Sequence, residues 1–400
     1  MKICFLNPWF KPYPGGIERR LLMVSSGLAA RGHEVHVVCA LLPGTARQED
    51  LHDVHVTRVP SVFWGGYRPP FAFTGVRRLR DAIQKIDPDV LDLHFRWAPD
   101  YLAATLLERR RRNCVLTYHN GHGEGAGWMR PLSELNDRVI DTFIKRFSAV
   151  VVVSEHVRAD LERRVRGLRP TNIYNGVALP SPSRTQSFRG TYLLFVGRLV
   201  PTKGLRDLLA AVATCRDELG IAEMRLRIVG VGPEERGLRR QAVNLGLGDC
   251  VDFCGCVPDR EKDALMAGCR IFCMPSHRES FGMAAVEAMA LGCPIVACDV
   301  EGLPEAVGGG GILVPPRSPG ALARALAVLW NDEAASRSYS SAGLAHARTF
   351  PWHRTVLETE RLFETLCSPR SKSVTDVDPY RARLSDVSRG AAPRALEELE

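Results

Sequence analysis

The chain lacks an uninterrupted apolar run long enough to cross a bilayer. Its opening stretch, MKICFLNPWFKPYPGG, is cut by prolines before a signal-type apolar core can form, so a cytoplasmic protein is expected. A zinc framework is missing too: Cys254 and Cys256 form CxC, and Cys269 and Cys273 form CxxxC without a nearby His pair. His277 beside Cys273 does not make up the set. Asp87-Pro88-Asp89 resembles a metal-binding Asp-x-Asp, but its proline and its place before a strand make it a turn. The third glycine of a dinucleotide fingerprint is also absent. Gly230 and Gly232 follow the strand-like RLRIV, yet position 235 is Glu, so Asp249 and Asp252 at about the offset of a ribose-binding acid do not rescue an NAD site.

What is present fits two globular domains. At 400 residues the chain exceeds a usual single domain, and 45% apolar content is ample for two cores. The twelve cysteines lie mostly in apolar runs (ICFL, HVVCA, IFCM, IVAC) and are expected as reduced, buried, small hydrophobes. A net charge of +8 suits an anionic substrate or an anionic membrane surface as well as nucleic acid.

Apolar strands alternate with helix-length stretches twice over, the pattern of a parallel sheet covered on both faces. KICFL, HEVHVVC, VLDLH, NCVLTYH and SAVVVVS belong to a domain over 1–180. A Pro/Ser/Gly-rich linker over 181–190 follows, and a second domain over 191–350 contains YLLFVG, RLRIVG, VDFCG, IFCMP, PIVACD and GILVPP. A helix over 351–366 closes the fold, and the polar tail 367–400 is expected to be disordered. Ligands of such sheets bind beyond the carboxyl ends of the strands, which points to the cleft between the domains.

Candidate residues gather at those strand ends. In PSHRESFGMAAVEAMALGCP a loop holds Glu279, and a helix starting near Gly282 carries Glu287 further along. The amides of Ser280, Phe281 and Gly282 then lie at a helix N-terminus, where free N–H groups and the dipole favour an anion. Gly15 and Gly16 follow the first strand and precede a helix, so a backbone there can approach a phosphate closely; a plain turn is the alternative. Arg198 and Lys203 put two cations at a strand end, suited to a leaving diphosphate, or else to a solvated turn. His119 ends a strand in TYHNGHGEG, with His122 and Glu124 in the same glycine-rich loop, for acid–base work or sugar-hydroxyl contacts. Asn175-Gly176 reads as a turn near the domain junction. ERRRRN at 108–113 reads as a solvated helix end, alternatively a lipid-facing patch with Arg77, Arg78 and Arg80.

Taken together, PGGIER, TYHNG, VSEH, YNGV, GRLVPTKG, IVGVGPE, FCGCV, the E-x7-E element, EGLPEAVGGGGILVPP and FPWHRTVLETERLF resemble the retaining glycosyltransferases of family 4, which have the GT-B fold of two facing Rossmann-like domains. The likeness runs over about the first 365 residues. It implies a nucleotide-diphospho-sugar donor, UDP- or GDP-linked, on the second domain and an acceptor on the first. Glu287 would bind the ribose and Glu279 would orient the donor sugar. Arg198 and Lys203 would hold the pyrophosphate, aided by the amides near Phe281, Gly282 and Gly16. His119 would lie beside the reacting sugar, and Val257 would mark the loop whose backbone meets the base. His353 stands where the family commonly has an acid, and the loop after His119 is unusually glycine-rich.

The implied activity retains anomeric configuration. No nucleophile under the sugar is evident for a double displacement, so same-face attack is expected, with the departing phosphate taking the acceptor's proton. Two cations and a helix N-terminus answer the leaving-group charge, so no metal or cofactor is expected. The acceptor is expected to be a glycan or a lipid-linked sugar, with lipid-linked carrier, polysaccharide, protein glycan and small metabolite all left open by the sequence. The basic first domain favours a lipid acceptor with peripheral contact to an anionic membrane, and no nucleic acid partner is expected. The alternatives are a non-catalytic nucleotide-sugar binder and another GT-B enzyme, such as a nucleotide-sugar epimerase or a phosphorylase.

Overall fold

The computed structural model describes residues 1–13, 15–64, 71–94, 97–119, 121, 129–179 and 190–368. The linker read at 181–190 falls, but for Gly190, outside the described residues, as do His122, Glu124 and nearly all of the tail. The first part contributes β1 (Lys2–Leu6), β2 (Glu34–Ala40), β3 (Gln48–Leu51), β4 (Val54–Val59), β5 (Val62–Trp64), β6 (Phe71–Phe73), β7 (Val90–Leu93), β8 (Asn113–Tyr118), β9 (Ala149–Val152) and β10 (Thr171–Asn172). The second adds β11 (Tyr192–Val196), β12 (Arg225–Val229), β13 (Val251–Gly255), β14 (Ile271–Met274), β15 (Ile295–Cys298) and β16 (Gly311–Val314).

Two sheets result. One has eight strands in the order β10-β9-β8-β7-β1-β2-β4-β3, parallel except at β3, with β5 and β6 forming a separate antiparallel pair. The other has six parallel strands in the order β13-β12-β11-β14-β15-β16. In each, the order reverses at one place: between β1 and β7, and between β11 and β14. Connections from neighbouring strands leave in opposite directions there, and a crevice opens beyond their carboxyl ends. β14 and β15 are buried throughout, as a sheet with helices on both faces requires. All twelve cysteines are free, and nine of them are buried; burial pushes the Cys4 and Cys298 thiols up to about 12.

The end of the chain returns to the first domain. Helix Trp352–Cys367 packs on helix Gly16–Ala29, with Val356 and Phe363 in the core that β1 and β2 line. Glu360 receives Arg31 at 2.7 Å and lies 2.9 Å from His33, and Thr355 Oγ1 donates to the Tyr174 carbonyl at 2.9 Å. Asn175 and Gly176 are not the turn expected of them. Asn175 Oδ1 accepts from buried Arg20 at 2.8 Å, and a Cβ on Gly176 would lie 2.5 Å from the Trp352 backbone. Val177 then bridges Pro351. Closeness to the crossover explains the glycine.

The ERRRRN segment also departs from expectation. Glu108 is fully buried and accepts from Arg80 at 3.0 Å, Gln84 at 3.1 Å and Arg112 at 3.2 Å. A buried carboxylate needs such partners, so Arg80 and Arg112 are held inward while Arg109, Arg110 and Arg111 face solvent. No helix among the described residues is long and apolar enough to cross a membrane.

The first and last helices approach closely at Gly27, where a Cβ would stand 2.5 Å from Val356 Cγ2. Gly27→Val should therefore destabilise the chain by about 1–3 kcal/mol, read as a lower thermal midpoint. An unchanged midpoint would contradict the packing of the crossover helix.

Candidate functional site

The site is built by loops that touch backbone to backbone. Gly204 has φ 67°, and a Cβ there would lie 1.9 Å from the Pro275 carbonyl oxygen. Its glycine lets the turn Pro201–Lys203 lie against the loop after β14, where the Thr202 carbonyl accepts from the His277 amide at 2.8 Å. From the other side, Gly302 N donates to the Glu279 carbonyl at 3.0 Å, and a Cβ on Gly302 would meet the Ser280 oxygen at 2.2 Å. Glu301 adds a side-chain clamp, accepting from the Glu279 amide and from Arg278 Nε, each at 2.8 Å. Glu301 itself has φ 47°, a strained setting for a non-glycine residue. Held this way, Glu279 accepts from Lys203 Nζ at 2.5 Å, with both side chains 15% exposed.

Next along the loop, Phe281 is buried against Tyr174 and Phe350. Gly282, at φ 108°, caps helix Met283–Ala290. Ser280 points its Oγ at the first domain, where it accepts from Gly121 N at 2.9 Å, while its carbonyl accepts from Ser154 Oγ at 2.7 Å. Glu287 follows on the helix. Its two oxygens are taken by two cations, each at 2.9 Å: Arg19 from the first domain and Lys262 from helix Asp259–Gly268. The pair of glutamates thus has one cationic partner at Glu279 and two at Glu287.

The first domain faces them with the start of helix Gly16–Ala29. Glu18 folds back beside Gly15, where a Cβ would meet Glu18 Oε2 at 2.0 Å. Burial pushes the Glu18 carboxyl up to about 7, opposed by its own amide and by the charge of Arg198. Arg198, exposed after β11, has its charge felt at Glu18. The loop bearing it is placed by another close approach: Gly230, at φ 132°, would carry a Cβ 1.9 Å from the Gly197 oxygen, and Gly232 one 2.3 Å from the Leu199 oxygen. The GVG element packs the Arg198 loop. Val257 lies half-buried after β13, against the core under helix Met283–Ala290.

His119 follows β8, and its Nε2 lies 3.1 Å from His94 Nδ1. Across the domain seam, Glu305 accepts from the Glu155 amide at 2.9 and 3.1 Å and from the Tyr174 hydroxyl, so a second-domain carboxylate caps a first-domain helix. Sequence reading did not find Arg19, Lys262, Glu301, Glu305 or His94. Of these, Arg19 had a signal, since its charge lies in the first turn after the glycine pair. Lys262 and Glu301 meet their partners only through the fold.

The comparisons agree with this architecture. Residues 14–179 match the family described as Glycosyltransferase Family 4, and residues 186–345 match Glycosyl transferases group 1. The phosphatidyl-myo-inositol mannosyltransferase of Mycobacterium leprae is 30% identical over 93% of this chain and 99% of its own length. The D-inositol 3-phosphate glycosyltransferase of Corynebacterium glutamicum is 38% identical over 42% of each chain. Among solved structures, the sucrose-phosphate synthase of Thermosynechococcus elongatus superposes with a TM-score of 0.78 at 22% identity, covering 91% of this chain and 98% of that one. Anabaena HepE in complex with UDP-glucose superposes with a TM-score of 0.72 at 23% identity, over 92% of this chain and 100% of that one. Two facing doubly wound sheets, matched family by family along the chain, make this protein a family 4 glycosyltransferase with the GT-B fold.

Proposed function

We propose that the chain moves a sugar from a nucleotide-diphospho-sugar to a hydroxyl of a lipid-linked acceptor, with retention of anomeric configuration. The observation carrying this reading is the pairing of Lys203 with Glu279 at 2.5 Å, beside a helix that begins at Gly282 and bears Glu287. Breaking the sugar–phosphate bond puts negative charge on the diphosphate. Lys203 and the helix-start amides are held in place before that charge appears, with Arg198 adding a second cation, the arrangement that lowers a barrier rather than merely binding substrate. Glu287, a turn or more along the helix, is the ribose ligand, and Glu279 orients the sugar. Gly15 and Gly16 admit the diphosphate from the facing domain, and the backbone near Val257 meets the base.

Retention follows from same-face attack. The acceptor hydroxyl approaches on the side the diphosphate leaves, and a phosphate oxygen takes its proton. No metal is needed, because cations and amides already meet the leaving charge. The near full-length likeness to phosphatidyl-myo-inositol mannosyltransferases supports a lipid acceptor. So does the surface: Arg77, Arg78, Arg109, Arg110 and Arg111 are exposed, and Val62 and Phe73 form a cross-strand pair that is 66% and 58% exposed. Exposed basic and apolar side chains on the first domain suit an anionic membrane face at the cytoplasmic side.

Lys203→Ala should lower kcat by about 100-fold or more, whereas Glu287→Gln should act mainly by raising the donor KM. Transfer should persist in EDTA and give the anomer of the donor. Full activity in Lys203→Ala, loss in chelator or an inverted product would each contradict the mechanism. For the surface, the chain should sediment with phosphatidylglycerol vesicles at low salt and lose that binding when Arg77, Arg78 and Arg110 are changed to Ser. Equal sedimentation of the triple variant would contradict membrane contact.

A further inference from the structure

Helices from three distant parts of the chain meet at one carboxylate. Glu287, on helix Met283–Ala290, accepts from Arg19 Nη1 at Oε1 and from Lys262 Nζ at Oε2, each at 2.9 Å. Arg19 stands near the start of helix Gly16–Ala29, and Lys262 near the start of helix Asp259–Gly268. The two cations are not equivalent. Lys262 is shared, lying also 3.6 Å from Asp263 and 3.9 Å from Asp259, whereas among the described residues Arg19 ion-pairs with Glu287 alone. A carboxylate offers about four lone-pair sites, two on each oxygen. Among the described residues Arg19 and Lys262 are the side-chain partners of Glu287, so each oxygen keeps a place for one more donor. At 14% exposure the group is still open to a ligand.

We infer that Arg19 is a positioning residue that sets the Glu287 carboxylate for a vicinal diol, and so makes the site select ribose over 2′-deoxyribose. The inference rests on the reading of Glu287 as the ribose ligand. A vicinal diol donates two hydrogen bonds side by side, and a carboxylate accepts both only when its plane is turned toward them. The terminal torsion of a glutamate is broad, so the group has no fixed plane of its own. Lys262 alone does not supply one, because an ammonium is a point charge on a flexible stem and two other carboxylates compete for this one. A guanidinium is a rigid planar donor, and Arg19 brings it from the opposite domain to the other oxygen. With both oxygens held, the remaining lone pairs point in fixed directions. A missing 2′-hydroxyl then leaves one acceptor unanswered in a partly buried site, which is what gives discrimination its size. Without Arg19 the carboxylate turns to follow Lys262, and the hydroxyl common to both sugars is met equally well in either.

The test is titration calorimetry of the intact chain with UDP, GDP and their 2′-deoxy forms, which needs neither sugar nor acceptor. Wild type should bind UDP or GDP about tenfold or more tightly than the matching deoxy form, the worth of a hydroxyl bonded to a charged group. Glu287→Ala should bring that ratio to about one. Arg19→Ala should bring it within about threefold, mostly by weakening the ribose form. An Arg19→Ala ratio still at the wild-type value overturns the inference even where both forms bind more weakly, since a merely structural bridge would cause that loss. The donor reading survives this result when Glu287→Ala has lost the ratio. A wild type that does not prefer the ribose form, or a Glu287→Ala that keeps the preference, overturns the assignment of Glu287 to the ribose and the inference with it. So does a wild type that binds neither UDP nor GDP. Should Arg19→Ala fail to fold, Arg19→Gln is read against the same ratios.

Discussion

Three loops at the ends of neighbouring strands must touch without side chains between them, and the site depends on those contacts. Gly204 against Pro275 and Gly302 against Ser280 leave no room for a Cβ. Between these approaches the loop after β14 has little freedom, and Glu279 meets Lys203 as a consequence. A charge pair on long side chains is weak when it must be ordered at the moment of use. Here the ordering is done by packed backbone, so the pair is already aligned.

The same loop is also where the domains hold each other. Ser280 bonds to Gly121 and Ser154, Glu287 to Arg19, and Glu305 to the start of helix Glu155–Arg164. Residues assigned to donor binding are therefore partnered by the opposite domain.

The fold was legible in the sequence because alternating apolar strands and helices leave few ways to bury both faces of a sheet. Glu279, Arg198, Lys203 and His119 stood out because each lies in the segment that follows a strand-like run, and Glu287 because it stands eight positions beyond Glu279 on the next helix. What could not be read were partnerships across long separations. Glu108 looked solvent-facing because it sits in a run of arginines, and only the packing of helix Val76–Ile86 on helix Pro99–Glu108 buries it. Asn175-Gly176 looked like a turn by residue type, but a distant tryptophan needed the space. Glu301 occupies a backbone setting that glycine would usually take, and nothing local announces its bonds to Arg278 and Glu279. His94, beside His119, was hidden in ordinary strand-like sequence.

The proposed transfer requires that the cleft between these sheets hold a nucleotide sugar, with Glu287 on the ribose and Lys203 on the diphosphate. A thermal-shift comparison of the intact chain with UDP-glucose, GDP-mannose and NADH tests it most directly. A true donor at 100 times its Kd stabilises the fold by about 2.7 kcal/mol. One of the two nucleotide sugars should raise the melting temperature of wild type, and do so much less in Lys203→Ala and Glu287→Ala. A shift with NADH alone, or an equal shift in both variants, would contradict it.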